Sequence, residues 1–192
     1  MKRFLAMLLL LCLTASCALA EAPASTEEAA PATTLVVYFS ATGNTKPLAE
    51  YAAKHLSADL YEIVAAQPYT DADLNYNDNT SRTTIEQGDA DARPEIDGLI
   101  ESIDSYDTIY LGYPIWWGEA PRIIDTFLES FDFSGKTIVP FCTSASSGVG
   151  SSANLLHDLC SPEAVWMDGT RFAIGTDEAA ITAWIDGLNT AK

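Results

Sequence analysis

The sequence predicts an α/β domain in which helices cover both faces of a parallel β-sheet. From Leu35 onward, short apolar runs alternate with segments of helical periodicity, which is the pattern of βαβ units. Three of the apolar runs are nearly continuous in Val, Ile, Leu, Tyr and Phe, as expected of strands buried on both faces. The chain has 192 residues, 48% of them hydrophobic, which suits one domain with a substantial core.

Five strands and five helices are predicted in alternating order. The strands lie near Leu35–Ser40, Leu60–Val64, Thr108–Tyr113, Thr137–Cys142 and Ala164–Met167. The helices lie near Thr45–Ser57, Ile96–Ser102, Ala120–Ser130, Ser151–Leu159 and Asp177–Leu188. The irregular segment Gln67–Pro94 is long for a simple connection, and both a functional lid and a variable surface insertion are open interpretations.

Residues 1–20 have the pattern of an export signal, because Lys2 and Arg3 precede an apolar run from Phe4 to Leu13 and small residues follow. The run is shorter than the roughly 20 residues that a membrane-spanning helix needs, so we predict no membrane span. Residues 21–34, rich in Ala, Pro and Glu, are predicted to be a disordered linker, and residues 35–192 to be the folded domain.

Two processing routes fit this N-terminal region. Ala18-Leu19-Ala20 matches an ordinary signal-peptidase site, which gives a free secreted protein. Thr14-Ala15-Ser16-Cys17 resembles a bacterial lipobox, with Thr14 where Leu is usual, and would leave a lipid anchor at Cys17. Either route predicts an exported, extracytoplasmic protein, secreted or tethered as a lipoprotein.

The charge of the chain excludes polyanionic partners. The formal charge is −17, and without residues 1–20 there remain 8 basic and 27 acidic side chains, giving −19. Such a surface repels nucleic acid and anionic lipid headgroups. We therefore predict no nucleic-acid partner.

The sharpest motif is Ser40-Ala41-Thr42-Gly43-Asn44-Thr45, between the first strand and the first helix. A turn at this place directs backbone amides and the helix N-terminus at one point, which suits a phosphate dianion without any basic residue. Gly43 permits close approach or a positive φ, and the hydroxyl and amide side chains add hydrogen-bonding groups. A simple helix cap would need one such side chain, whereas four lie within six residues. The loop has neither the P-loop nor the dinucleotide pattern, so a mononucleotide phosphate is favoured.

Ser40-x-Thr42-Gly43-Asn44-Thr45 after an apolar strand resembles the FMN-phosphate loop of the flavodoxin family, and the similarity extends over about Leu35 to Leu188. The resemblance implies a flavodoxin-like three-layer sandwich with a five-stranded parallel sheet of order 2-1-3-4-5. It also implies FMN as cofactor, bound beyond the carboxyl ends of strands one and three. The predicted phosphate-binding residues are Ser40, Thr42, Gly43, Asn44 and Thr45.

A second loop follows strand three and contains two adjacent tryptophans. Side chains of consecutive residues diverge at a strand end, so at least one indole faces solvent and can serve as a wall for a flat cofactor. The alternative is a tryptophan pair that fills a gap in the core. By the resemblance, backbone groups here contact the isoalloxazine edge and one indole stacks on or flanks the ring. The predicted residues are Pro114, Ile115, Trp116, Trp117 and Gly118.

A third loop of small polar residues follows strand four and can pass close to the pyrimidine edge or the ribityl chain. The predicted cofactor-binding residues in it are Thr143, Ser144, Ser147 and Gly148. Such composition is also that of flexible connections, so the argument depends on all three loops meeting at one end of the sheet.

Three functions are compatible with these loops. The first is an electron-transfer flavoprotein, a low-potential one-electron carrier that serves a redox partner protein or a small-molecule acceptor. The second is an FMN-dependent NAD(P)H:quinone or flavin oxidoreductase, and the third is a binding module without redox chemistry. We predict no catalytic side chain and no metal site, because His55 and His157 lie in separate predicted helices without ligand-like spacing. Cys142 and Cys160 are predicted to be separate thiols, at opposite ends of the sheet.

Overall fold

The structure is a computed structural model that describes residues 33–190. The predicted export signal, Cys17 and residues 21–32 of the predicted linker lie outside the described residues. The strands are β1 (Thr34–Tyr38), β2 (Asp59–Glu62), β3 (Val64–Ala65), β4 (Ile96–Asp97), β5 (Thr108–Pro114), β6 (Thr137–Ser144), β7 (Val165–Trp166) and β8 (Thr170–Ala173). The helices are α1 (Lys46–Leu56), α2 (Arg82–Gly88), α3 (Arg122–Glu129) and α4 (Glu178–Thr190), with a 3₁₀ helix over Asn154–Leu159.

The main sheet is parallel, with the order β2-β1-β5-β6 and an edge formed by β7 and β8. When the two edge pieces are counted as one strand, this is the predicted order 2-1-3-4-5, which is confirmed. The long central strands β1, β5 and β6 lie where the sequence predicts them. Their carboxyl ends lie at one edge of the sheet, where the three predicted loops begin.

Side chains alternate between two cores, one on each face of the sheet. In β1, Leu35 and Val37 join a cluster with α3 and the 3₁₀ helix, whereas Val36 and Tyr38 join a cluster with α1 and α4. Helices on both faces give three layers, as the predicted fold class requires. Among residues 33–190, no helix is both long and apolar enough to cross a bilayer.

The predicted helix over Ile96–Ser102 is wrong. Ile96 and Asp97 form β4, which pairs antiparallel with β3, and irregular chain follows to the start of β5. The apolar side chains of this segment have helical spacing, but they pack on the main core as extended chain, for example Ile100 and Ile103. Tertiary packing here overrides the local pattern.

Two further elements differ from the prediction. The helix over Ser151–Leu159 is instead a 3₁₀ helix that starts at Asn154. The last strand, predicted over Ala164–Met167, is only two residues in β7, and β8 continues the same edge beside residues 141–144 of β6. The break between them includes Gly169, where a Cβ would lie 3.2–3.3 Å from Val149 and Pro140. The crowding at this position accounts for the glycine.

The two cysteines of the described chain are separate. Cys142 is buried in β6 and Cys160 is half-buried after the 3₁₀ helix, and both are free thiols. Burial raises the pKa of each thiol to about 12. Neither is a reactive thiolate at neutral pH.

Candidate functional site

The first loop turns sharply from β1 into α1. Gly43 has φ of +77°, a left-handed conformation that glycine adopts without strain. The Ser40 Oγ accepts hydrogen bonds from the backbone N–H groups of Thr45 and Lys46, at 3.1 and 3.2 Å. Ser40 therefore stabilises the helix N-terminus from across the loop. It shapes the loop rather than presenting a free hydroxyl.

The centre of the loop carries unpaired donors. Within the described part of the chain, the backbone N–H groups of Thr42, Gly43 and Asn44 have no protein acceptor. Thr42 and Gly43 are exposed, and the Asn44 amide donates to the Thr42 Oγ1 at 2.9 Å. Three free amides at a helix N-terminus are the donor set that a phosphate group needs.

Thr143 joins the three predicted loops. Its Oγ1 lies 2.8 Å from the Oγ1 of Thr45 in the first loop, and its carbonyl accepts from the N–H of Ile115 in the second, at 3.0 Å. Thr45 is fully buried and Thr143 is 2% exposed. The hydroxyl contact joins the first and third loops, the Thr143 carbonyl joins the third loop to the second, and the Thr45 hydroxyl already has a protein partner.

The second loop contains a two-residue turn. The backbones of Trp116 and Glu119 exchange two hydrogen bonds of 2.9 Å, and the intervening Trp117 and Gly118 have φ of 49° and 88°. Two positive φ values in succession define a type I′ turn. Gly118 suits this geometry, but Trp117 is a bulky residue in the left-handed region, a conformation that costs on the order of 1–3 kcal/mol. The surrounding structure must hold it there.

The two tryptophans have different environments. The Trp116 ring packs edge-to-face against Phe39 and Tyr69, with centroid distances of 5.6 and 5.2 Å. Trp117 is 46% exposed. Trp116 thus fills a gap at the rim of the core while one side faces the site, and Trp117 offers a free indole.

A cleft of about 380 Å³ lies beside these two loops. Its lining includes Thr42 from the first loop and Ile115, Trp116 and Trp117 from the second. The remaining lining comes from the segment Gln67–Pro94 and consists of Leu74, Tyr76 and Thr83. These three residues were not among the predicted site residues. Their only signal was an aromatic side chain, Tyr76, in an irregular polar stretch.

The segment Gln67–Pro94 is held together by a compact set of contacts between its own residues. The Tyr69 hydroxyl donates to Glu86 at 2.7 Å, the Arg82 guanidinium lies 4.0 Å from the Tyr69 ring centroid, and Arg82 Nε donates to Glu86 at 2.6 Å. Burial, and then the bond to Glu86, raises the pKa of Tyr69. These contacts fasten α2 to Tyr69, whose ring packs against Phe39 and Trp116, and Thr83 of α2 lines the cleft.

The third loop lies apart from the cleft lining. The Ser144 hydroxyl donates to the Ser147 carbonyl, and Ser147 and Gly148 are exposed. Arg171 on β8 donates to the Ser144 carbonyl at 2.8 Å and to the Ala145 carbonyl at 2.9 Å, so it fixes the start of the loop. Of the predicted residues in this loop, Thr143 is the one that contacts the other two loops.

Charge near the second loop is largely compensated. Glu119, which ends the turn, lies 2.9 Å from Arg122. Arg122 also lies 3.4 Å from the buried carboxylate of Asp125, and desolvation raises the pKa of Asp125 to about 6, although Arg122 and Arg93 oppose this shift. The carboxylate closest to the turn therefore acts as half of an ion pair.

These features fit a flat ligand that ends in a phosphate. Unpaired amides suit the dianion, the aromatic and aliphatic walls suit a planar ring system, and the cleft volume is typical of a small-molecule site. Thr42 belongs both to the group of free amides and to the cleft lining, because its N–H is one of the free donors and the residue lines the cleft.

Known structures share this architecture. A protein from Bacteroides eggerthii assigned as a flavoprotein is 47% identical, with a TM-score of 0.75, over 81% of this chain and 97% of that chain. A similarly assigned protein from Bacteroides uniformis is 42% identical, with a TM-score of 0.77, over 82% and 99%. A flavoprotein in complex with FMN from Lactobacillus acidophilus is 24% identical, with a TM-score of 0.57, over 79% and 97%, a likeness of fold.

The comparison with curated proteins gives no match. The family model described as flavodoxin matches residues 33–188, which is nearly all of the described chain. With its parallel sheet, its phosphate-type loop and its aromatic second loop, the chain belongs to the flavodoxin family, whose cofactor is FMN.

Proposed function

We propose that the protein binds one FMN and carries electrons on the extracytoplasmic side of the cell. The observation that carries the proposal is the position of Thr42, Gly43 and Asn44. Their unpaired amides lie at the start of α1, directly beside a cleft with tryptophan walls. Bound FMN supplies the redox chemistry, and the protein supplies binding, orientation and exclusion of water.

In this proposal, the amides and the aromatic residues contact different parts of FMN. The three amides bind the phosphate, and because no Lys or Arg lines the cleft, recognition depends on hydrogen bonds and the helix dipole. Trp116 and Trp117 cover the ring from the side of the second loop, and Tyr76 from the segment Gln67–Pro94 lines the same cleft. Aromatic contacts of this kind contribute about 0.5–1.5 kcal/mol each beyond area burial.

The phosphate assignment is tested by comparing FMN with riboflavin, which lacks the phosphate. Replacing Thr42 and Thr45 together by Ala is expected to weaken FMN about 10- to 100-fold, because the loop loses the side-chain bonds between Asn44 and Thr42 and between Thr45 and Thr143, and its amides are then held less well for the charged group. Riboflavin affinity is expected to change much less. Quenching of flavin fluorescence measures both.

Thr34→Ala is the matched control, since Thr34 begins β1 at the opposite end of the sheet. Equal losses for FMN and riboflavin in the double variant would contradict the phosphate assignment. A purified wild-type protein that stays colourless in excess FMN would contradict FMN binding altogether.

The extracytoplasmic location rests on the sequence pattern of residues 1–20. Intact-mass analysis of the protein from its host tests it. A chain that begins at Glu21 indicates secretion, and a diacylglyceryl adduct on Cys17 indicates a lipoprotein. A full-length chain retained in the cytoplasm would refute export.

One observation favours an oxidoreductase as a second candidate. Tyr76 is 74% exposed and Trp117 is 46% exposed, and both line the cleft. Two exposed rings beside a flavin offer a place for a small planar acceptor. Steady-state oxidation of NADPH with a quinone by the purified protein alone would support the enzyme. Turnover that requires a separate reductase would support the carrier.

A further inference from the structure

Gln87 on α2 lies outside the three predicted loops but contacts the second loop at three backbone positions. Its Nε2 donates to the carbonyls of Trp116 and Ala120, each at 3.2 Å. Its Oε1 accepts from the N–H of Arg122 at 3.2 Å. One half-buried amide side chain thus spans the turn and the start of α3.

The turn held in this way contains the strained residue. Trp117 has φ of 49°, and the turn around it is closed by only two backbone bonds, between Trp116 and Glu119. A bulky residue in this conformation persists only when its surroundings over-determine it. Gln87 supplies bonds to the residue before Trp117 and to the residue after the turn, from a different part of the chain.

Gln87 also connects the two walls of the cleft. The segment that contains it contributes Leu74, Tyr76 and Thr83 to one wall, and the turn that it contacts contributes Trp116 and Trp117 to the other. Arg122 strengthens the connection, because its guanidinium donates to the Gln87 carbonyl at 3.2 Å. The relative position of the walls therefore depends on this residue.

We infer that Gln87 is a positioning residue for the flavin ring. It holds Trp117 in its left-handed conformation and fixes the separation between the tryptophan wall and the Tyr76 wall. The inference rests on the proposed FMN binding, and it concerns the ring and not the phosphate. Loss of Gln87 therefore weakens FMN and riboflavin by the same factor.

The first experiment measures dissociation constants of FMN and riboflavin for Gln87→Leu and Gln87→Glu. Both variants are expected to weaken both flavins about 10-fold, since buried carbonyls lose their donor. Glu has the shape of Gln, but its carboxylate cannot donate and faces two carbonyl oxygens. A residue that merely fills space would tolerate Glu, so wild-type affinity in Gln87→Glu would overturn the inference.

Gln67→Leu is the control, because Gln67 is an exposed glutamine of the same segment. It is expected to leave both affinities within about twofold of wild type, below the size of one hydrogen bond. Selective loss of FMN in a Gln87 variant would also overturn the inference, since it would point to the phosphate loop.

The second experiment needs no flavin and uses a double-mutant cycle with Trp117→Gly. Glycine adopts the positive φ freely, so the turn no longer depends on Gln87. The shift in urea midpoint caused by Gln87→Leu is expected to be clearly smaller in the Trp117→Gly background. Equal shifts in both backgrounds would overturn the link to Trp117. Because this cycle is read in the apo protein, failure of the wild type to bind FMN would refute the proposed function separately.

Discussion

Asp125 on α3 should make stability depend on pH. The residue is 3% exposed, and within the described chain its Oδ1 has no hydrogen-bond partner. Its Oδ2 lies 3.4 Å from Arg122 and 3.8 Å from Arg93, which are long contacts for ion pairs. Desolvation therefore outweighs the two arginines and raises the pKa of Asp125 from 3.8 to about 6.

The sign and size of the effect follow from linkage. Because the carboxyl group binds its proton more tightly in the folded state, the contribution of Asp125 to stability is fully present below about pH 4 and is lost as pH rises through about 6. The two pKa values, 3.8 and about 6, differ by an amount worth about 3 kcal/mol. About 2 kcal/mol of this falls between about pH 4.5 and about pH 7.5.

The perturbation is Asp125→Asn, which keeps the shape and removes the titration. Urea unfolding at a series of pH values gives the free energy of unfolding of both proteins. Relative to the variant, the wild type is expected to lose about 2 kcal/mol between about pH 4.5 and about pH 7.5. Other titrating groups cancel in this difference. Parallel pH profiles for the two proteins would refute the reasoning, because they would show that Asp125 is ionised throughout or has a normal pKa.

Three further predictions concern backbone geometry and packing. Gly43→Ala and Gly135→Ala both place a Cβ at positive φ in open space, so each should lower stability by about 1–2 kcal/mol, but only Gly43→Ala should weaken FMN in fluorescence titrations. Gly112→Ala should cost about 1–3 kcal/mol in urea unfolding because its Cβ would overlap the Phe141 ring, and wild-type stability would contradict this packing. Trp117→Gly should be about 1 kcal/mol more stable than Trp117→Ala, since both remove the indole and only glycine relieves the φ; equal stabilities would show that the turn relaxes instead.

The central strands could be predicted because their signal is local. β1, β5 and β6 are buried on both faces by the two cores, so each needs a continuous apolar run, and the sequence contains one at each place. The order of the strands was implied by the resemblance of the first loop to that of the flavodoxin family, and the pattern of this loop is also local. Contacts between distant residues were not required for either prediction.

The wrongly predicted helix and the missed helix have a common cause, because in both places tertiary contacts rather than the local pattern decide the structure. The helix predicted over Ile96–Ser102 had apolar side chains at helical spacing, but this spacing also suits an irregular chain that touches the core at intervals. α2 was missed because it is short and polar. Its signals were Ser81, whose side chain accepts from the N–H of Thr84, and the i,i+4 pair of Arg82 and Glu86. Both signals are weak without tertiary structure.

In the candidate site, too, some features could be predicted from the local sequence, and others depend on contacts with distant residues. The position of the first loop and its tight turn could be predicted from the sequence, and its unpaired amides follow from that turn, whereas the protein partners of the Ser40 and Thr45 hydroxyls could not be predicted. The tryptophans were assigned together, although in the structure both line the cleft and only Trp116 also packs against the rim of the core. Nothing in the local sequence distinguishes them, because the difference comes from Phe39 and Tyr69, which are distant along the chain.

The segment Gln67–Pro94 adds residues to the cleft beyond those of the three predicted loops. The first loop offers unpaired amides, and the second offers two tryptophans beside the same cleft. α2 is fastened to the second loop through Gln87, and the chain before it contributes Tyr76 to the cleft that Trp117 also lines. In the proposed function, such a second group of lining residues would limit what can reach the flavin ring, for a small planar acceptor and for a protein partner alike.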